Sequence, residues 1–179
     1  MGKEAEARYP SWQKERTFVR TITGKYSELY RELHNQPRIF KSKDVSYTGG
    51  PVHFAKAIVS PRIPSVLMTQ AIESAIETIA PGGHSAKHGH MNGAIMYILE
   101  GKGYEIHDKE RRDWQAGDVF VVRNGCVHQH FNRDSERPAK ILVLKSKPLF
   151  MFFHMLFQKT IEEPPDEPLK GWEGWQPAD

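Results

Sequence analysis

The spacing of apolar residues changes near residue 50. Before that point Tyr26, Leu29, Tyr30 and Leu33 fall at i, i+3, i+4 and i+7, the spacing that gathers side chains on one stripe of a helix. Thr23 stands where an N-cap belongs, and Asn35 followed by Pro37 supplies a stop. Trp12, Phe18, Val19 and Ile22 mark a second, shorter helical segment. Residues 1–50 therefore read as a helical extension whose aromatic stripe packs on the main body.

From Val52 onward the period shortens, and short runs rich in Val, Ile, Phe and Thr are separated by Gly, Pro and Asp. Strands are predicted over 52–59, 66–79 with one break, 94–99, 102–107, 112–115, 118–122, 127–131 and 139–145. Asp118, placed after Gly117, is expected to satisfy backbone groups of its turn. Many short strands at close spacing predict an all-β antiparallel sandwich or barrel over residues 51–147. Residues 148–179 form a third zone. Leu149, Phe150, Met151, Phe152, Phe153, Met155, Leu156 and Phe157 are apolar on every side, which predicts burial in the body or cover by a second subunit. The Pro-rich acidic tail that follows carries Trp172 and Trp175 and is expected to lie across the body or a neighbouring subunit.

Composition narrows the class. With 179 residues, 39% of them hydrophobic and 26% charged, the chain is long enough for one compact domain with a real core. No apolar run approaches the roughly 18 residues of a membrane-spanning helix. The mixed charges of the first eight residues lack a secretory pattern, and the single cysteine, Cys126, leaves no intrachain disulfide. A cytoplasmic location without membrane contact is the expectation. The net charge of +3 is too small to predict nucleic-acid binding, yet it is unevenly spread. Residues 162–179 carry a balance of −5, leaving +8 on the rest, which suits a small anionic ligand or simply a solvated basic surface.

The chemistry concentrates in the histidines. Four of the nine form two His-x-His pairs, His88 with His90 and His128 with His130. On a strand, residues i and i+2 share a face, so each pair aims both imidazoles one way, which in a small barrel can be the lumen. The flanking residues are spaced more specifically still. Gly82, His88, His90 and Gly101 precede Gly117, Gly125, His128 and Asn132 at intervals that resemble the two motifs of the cupin superfamily, G-x5-H-x-H-x3-E-x6-G and G-x5-P-x-G-x2-H-x3-N. Ala94 stands at the glutamate position and Arg123 at the proline. Within the superfamily, the stretches around His88–Gly101 and His128–Asn132 are similar to gentisate 1,2-dioxygenase and other three-histidine cupin dioxygenases.

That resemblance implies a single cupin barrel in which His88, His90 and His128 ligate a metal, with Fe(II) expected and Mn, Zn or Ni as alternatives. Three neutral imidazoles leave a divalent charge unneutralised and coordination positions open, which suits an anionic, bidentate substrate plus dioxygen. The implied activity is ring or C–C cleavage of a small hydroxylated aromatic acid by dioxygen. A metal-dependent lyase, decarboxylase or isomerase acting on an oxyacid or sugar, and a metal-free small-molecule-binding cupin, remain open at this point. His130 is the candidate general acid/base or substrate hydrogen-bond partner, with a fourth-ligand role as the alternative. Arg123 is a candidate carboxylate clamp, and Gln70, Met96 and Tyr104 are expected to line the lumen by strand alternation. Cys126 reads as a small buried apolar residue, while His34, His53, His84, His107 and His154 read as ordinary surface or packed histidines. A homodimer or higher homo-oligomer is expected.

Overall fold

Alternation is clearest along the strand Ala94–Glu100, where Ala94, Met96 and Ile98 are buried while Ile95, Tyr97 and Leu99 are exposed. Such a strand needs a second layer to cover its apolar face. A computed structural model describes residue 31 and residues 34–60 and 71–178 of the chain, which divides into two units, Met1–Arg38 and Ile39–Asp179. In the first unit Arg31 and His34 are helical, and the Asn35 N–H donates to the Arg31 carbonyl at 3.1 Å, where the Asn35–Pro37 stop was expected. The stripes expected over residues 12–30, and Leu33, lie outside the described residues.

The second unit contains eleven described strands: β1 (Thr48–Gly49), β2 (His53–Val59), β3 (Glu73–Ile79), β4 (Lys87–His90), β5 (Ala94–Glu100), β6 (Lys102–His107), β7 (Glu110–Gln115), β8 (Val119–Val122), β9 (Val127–Asn132), β10 (Ala139–Lys145) and β11 (Gln158–Glu162). A short helix, α1 (Lys147–Phe152), lies between the last two. The strands make two antiparallel sheets, ordered β1-β2-β3-β10-β5-β8 and β11-β4-β9-β6-β7. The inner faces of β3, β5, β8 and β10 supply an apolar core of Ile79, Ala94, Met96, Ile98, Val122, Ile141 and Val143, joined by Trp114 of β7. Each fully buried Ile or Val there contributes about 1.5–3 kcal/mol.

Close approach and turn chemistry fix the ladder registers. Gly103 faces Asn132 across β6–β9, where a Cβ would lie 2.0 Å from the Phe131 carbonyl oxygen and 2.4 Å from the Trp114 ring, so no side chain fits. Gly101 turns β5 into β6 at φ +91°, and a Cβ there would meet the Ala139 Cα at 2.9 Å. Asp118 accepts a hydrogen bond from the Gln115 N–H at 2.9 Å, closing its turn as expected.

Three strands were not among those predicted: β1, which pairs with β2 inside the stretch read as a helical extension, and β4 and β11. β4, Lys-His-Gly-His, has no apolar alternation, and β11 is exposed at every residue. Both exist because pairing supplies what pattern does not: β11 hydrogen-bonds to β4, and β4 to β9. The apolar segment after residue 148 is likewise not buried in the body; Phe152, Phe153, Met155 and Phe157 are more than half exposed. The tail does cross the body, with Trp175 edge-on to Phe54 at 5.6 Å and Trp172 beside Trp175. Among the described residues no helix is long and apolar enough to cross a membrane.

Candidate metal centre

His88 and His128 are Cα partners in the β4–β9 ladder, and His107 of β6 is the next partner along the same row. His90 follows two residues after His88 on the same face. The three rings of His88, His90 and His128 gather with centroids 4.4 Å (His88–His128), 4.8 Å (His90–His128) and 5.5 Å (His88–His90) apart. One ring nitrogen from each lies within 4.8 Å of the others, the arrangement in which a metal ion can be held.

Each ring is tethered on its other side by a backbone carbonyl two residues away. The Nδ1 atoms of His88, His90 and His128 lie 3.2, 2.7 and 3.1 Å from the carbonyl oxygens of Ala86, Asn92 and Cys126. An Nδ1–H donated to these oxygens leaves Nε2 as the lone-pair nitrogen, the tautomer that a metal ligand requires. His90 Nε2 is buried and has no protein partner. Burial lowers the pKa values of all three rings, to about 4 for His90 and about 3 for His128, and the nearby Lys145 charge pushes His88 and His90 further down. The rings are therefore neutral at pH 7, as a three-imidazole metal site needs. On donor chemistry, tautomer and charge the residues fit a divalent first-row ion.

His130 is also inward, 2% exposed, with its ring 5.3 Å from His128 and 5.4 Å from Phe120. Its Nδ1 has no partner, its backbone N–H donates to Ser85 Oγ at 3.0 Å, and burial holds it well below the ordinary histidine pKa. Met96 is inward as alternation predicts; it packs in the apolar core and is the Cα partner of Phe120. Tyr104 corrects the expectation made for it. In β6 the buried positions are Gly103, Glu105 and His107, so Tyr104 faces outward, stacked on Phe131 at 4.6 Å under the Arg111 guanidinium at 3.9 Å. Arg123 is exposed at the β8–β9 turn. Gln70 lies outside the described residues. Cys126 is buried, with its thiol pKa raised by that burial, and accords with a packing role.

Sequence reasoning missed several lumen residues. His107 is buried beside His128, at 5.9 Å between ring centroids, and its Nε2 lies 3.1 Å from Glu105 Oε2. On the opposite sheet Glu77, Lys145 and His53 form a second polar cluster. A signal was available: Glu77 and Lys145 interrupt the inward apolar rows Ala75–Ile79 and Ile141–Val143.

Comparison with known proteins bears on the fold that carries this site. Residues 75–145 match the family model described as a cupin domain. A 60-residue stretch is 28% identical to 5-aminosalicylate 1,2-dioxygenase of Comamonas sp, covering 34% of this chain and 16% of that protein. Salicylate 1,2-dioxygenase of Pseudoaminobacter salicylatoxidans, solved as adducts with gentisate, is similar in structure at TM-score 0.56 and 18% identity, over 76% of this chain and 36% of that one. A cupin-2 domain protein of Rhodospirillum rubrum aligns at TM-score 0.50 and 16% identity, over 62% of this chain and 74% of its own. At these identities the structural likeness shows the fold, and the chain spans little more than a third of the solved dioxygenase.

Proposed function

We propose, of a chain that carries a cupin domain across residues 75–145, that it is an Fe(II)-dependent dioxygenase acting on a small hydroxylated aromatic acid. The observation that carries the reading is the convergence of three carbonyl-tethered, neutral imidazoles beside Ala94, where a fourth protein ligand would otherwise stand. His88, His90 and His128 would hold the ion, and an iron ion bound there supplies the redox chemistry that dioxygen needs to react with an aromatic ring.

The remaining work falls to the chain's own side chains. Ala94 presents only a methyl group and leaves room for an incoming oxygen donor. His130, neutral and with a free Nδ1, is positioned to take a proton from a substrate hydroxyl and return it to product. Phe120, with its ring 5.4 Å from that of His130, backs it with apolar surface that excludes water from that transfer. The exposed Phe152, Phe153, Met155 and Phe157 support self-association through the C-terminal segment.

The test is metal analysis of the purified protein, then oxygen uptake on addition of Fe(II) with salicylate, gentisate and 5-aminosalicylate. Uptake that depends on Fe(II) and on the aromatic acid is expected. Anaerobic turnover of an oxyacid with Zn(II) or Mn(II), without oxygen uptake, would replace this reading by a lyase or isomerase.

A further inference from the structure

Across the lumen from the histidines, the six-stranded sheet carries ionised groups that the reading above leaves without a task. Glu77 of β3 is in contact with two partners, one at each carboxylate oxygen: Lys145 Nζ donates to Oε1 at 3.0 Å, and His53 Nε2 lies 3.3 Å from Oε2. The side chains keep only 10% (Glu77), 21% (Lys145) and 20% (His53) of their exposure. Lys145 and His53 together hold the Glu77 carboxyl well below its ordinary pKa against the opposing effect of burial, so Lys145 faces an ionised partner.

Register places Lys145 at the histidine end of the barrel. Glu73, Lys145, Ala94 and Val122 are successive Cα partners in one row across β3, β10, β5 and β8. The Ser146 N–H donates to the Gly93 carbonyl at 3.2 Å, which ties the end of β10 to the loop that leaves His90. Lys145 thus stands beside the one position, Ala94, where the cupin motif would put a carboxylate. Its charge is felt at both His88 and His90. Arg123, the basic residue the sequence suggested for an anionic substrate, sits exposed at a turn.

We propose that Lys145 binds the carboxylate of the aromatic acid, and that Glu77 and His53 hold it in position. The ligand class rests on the dioxygenase reading. An ammonium has three N–H donors, and Glu77 takes one of them. Holding an ion pair at such low exposure costs desolvation, a cost that a ligand's carboxylate offsets by adding a charge-assisted hydrogen bond. The missing side chain at Ala94 leaves that carboxylate room next to the ammonium.

Salicylate and salicylamide share the ring and hydroxyl and differ in the carboxylate charge. Their binding to the Zn(II)-loaded full chain, measured by calorimetry, separates Lys145 from any turnover. The wild type is expected to prefer salicylate. Lys145→Met should weaken salicylate by about 10- to 100-fold and salicylamide by no more than about twofold, with Lys145→Arg restoring most of the preference. Arg123→Ala should leave both affinities unchanged. Should Lys145→Met not fold, the double variant Lys145→Met/Glu77→Gln removes the pair without stranding a charge and should show the same selective loss. A wild type that binds the two alike or binds neither, or a folded variant that keeps the salicylate preference or loses both ligands equally, overturns the assignment. Absence of oxygen uptake with the carboxylate preference intact would instead fail the dioxygenase reading and leave Lys145 as the clamp.

Discussion

The two His-x-His pairs have the same spacing and different fates. In β4 both members reach the shared centre, His88 tethered to the Ala86 carbonyl and His90 to that of Asn92. In β9 only His128 does so, through Cys126, while His130 lies one step further along the strand, opposite Glu105, with its Nδ1 unpartnered and its ring against Phe120. An i, i+2 repeat puts two rings on one face but does not set the depth at which each arrives. Depth follows from the ladder. His128 is level with His88, and His130 sits a pleat beyond it, over the apolar core. The carbonyl tether marks the difference, because a ring held through Nδ1 has its other lone pair aimed and committed.

The largest test of that contrast exchanges the two members of β9. His128→Ala should lose metal by more than about 100-fold in affinity, whereas His130→Phe should retain it, as read by metal content after dialysis. Equal metal loss in both would make His130 a ligand. With Fe(II) restored, His130→Phe is expected to lower kcat by about 100-fold with little change in KM, the pattern of a proton-transfer group. An unchanged kcat would reduce His130 to packing.

Ala94→Glu rebuilds the missing carboxylate beside β4. It should tighten metal retention and weaken salicylate binding by roughly tenfold, since the new side chain takes the ligand's place. Comparable salicylate affinity in this variant would show that the acid binds elsewhere.

Acid sharpens the comparison without mutation. The folded pKa values of His90 and His128, about 4 and about 3, lie below the unfolded value of about 6.5, so the unfolded chain binds more protons. The stability these rings contribute is complete above pH 6.5 and is lost as pH falls toward 4, by about 2 kcal/mol for each ring at pH 5. The melting temperature of the metal-free protein should therefore fall between pH 7 and pH 5. His130→Phe should flatten that fall, because His130 is depressed as well. A flat profile in the wild type would mean that the rings are hydrated. Smallest of all, Ser85→Ala removes the oxygen that accepts from the His130 N–H and should cost about 1 kcal/mol in a denaturant titration, without loss of metal.

Much of the barrel was legible along the chain, because β5, β6, β9 and β10 carry their own alternation. Tyr104 shows the limit of that reading. One residue of register decides its face, and Gly103, which must meet the Phe131 backbone, turns Tyr104 outward. β4 offered only its His-x-His spacing and β11 no pattern at all, since their stability comes from strands distant in sequence.

By itself the sequence determined where most of the strands lie, the tight turns and the spacing of imidazoles within β4 and within β9, all of which depend on residues at most a few positions apart. Only the tertiary structure decided that His88, His90 and His128 converge and that His130 stops short. It also brought Lys145 and Glu77, 68 residues apart, into one ion pair beside Ala94. Local backbone geometry sets which way a side chain leaves its strand; which partner it meets depends on the register between strands, and that is settled only when the two sheets close on their shared core.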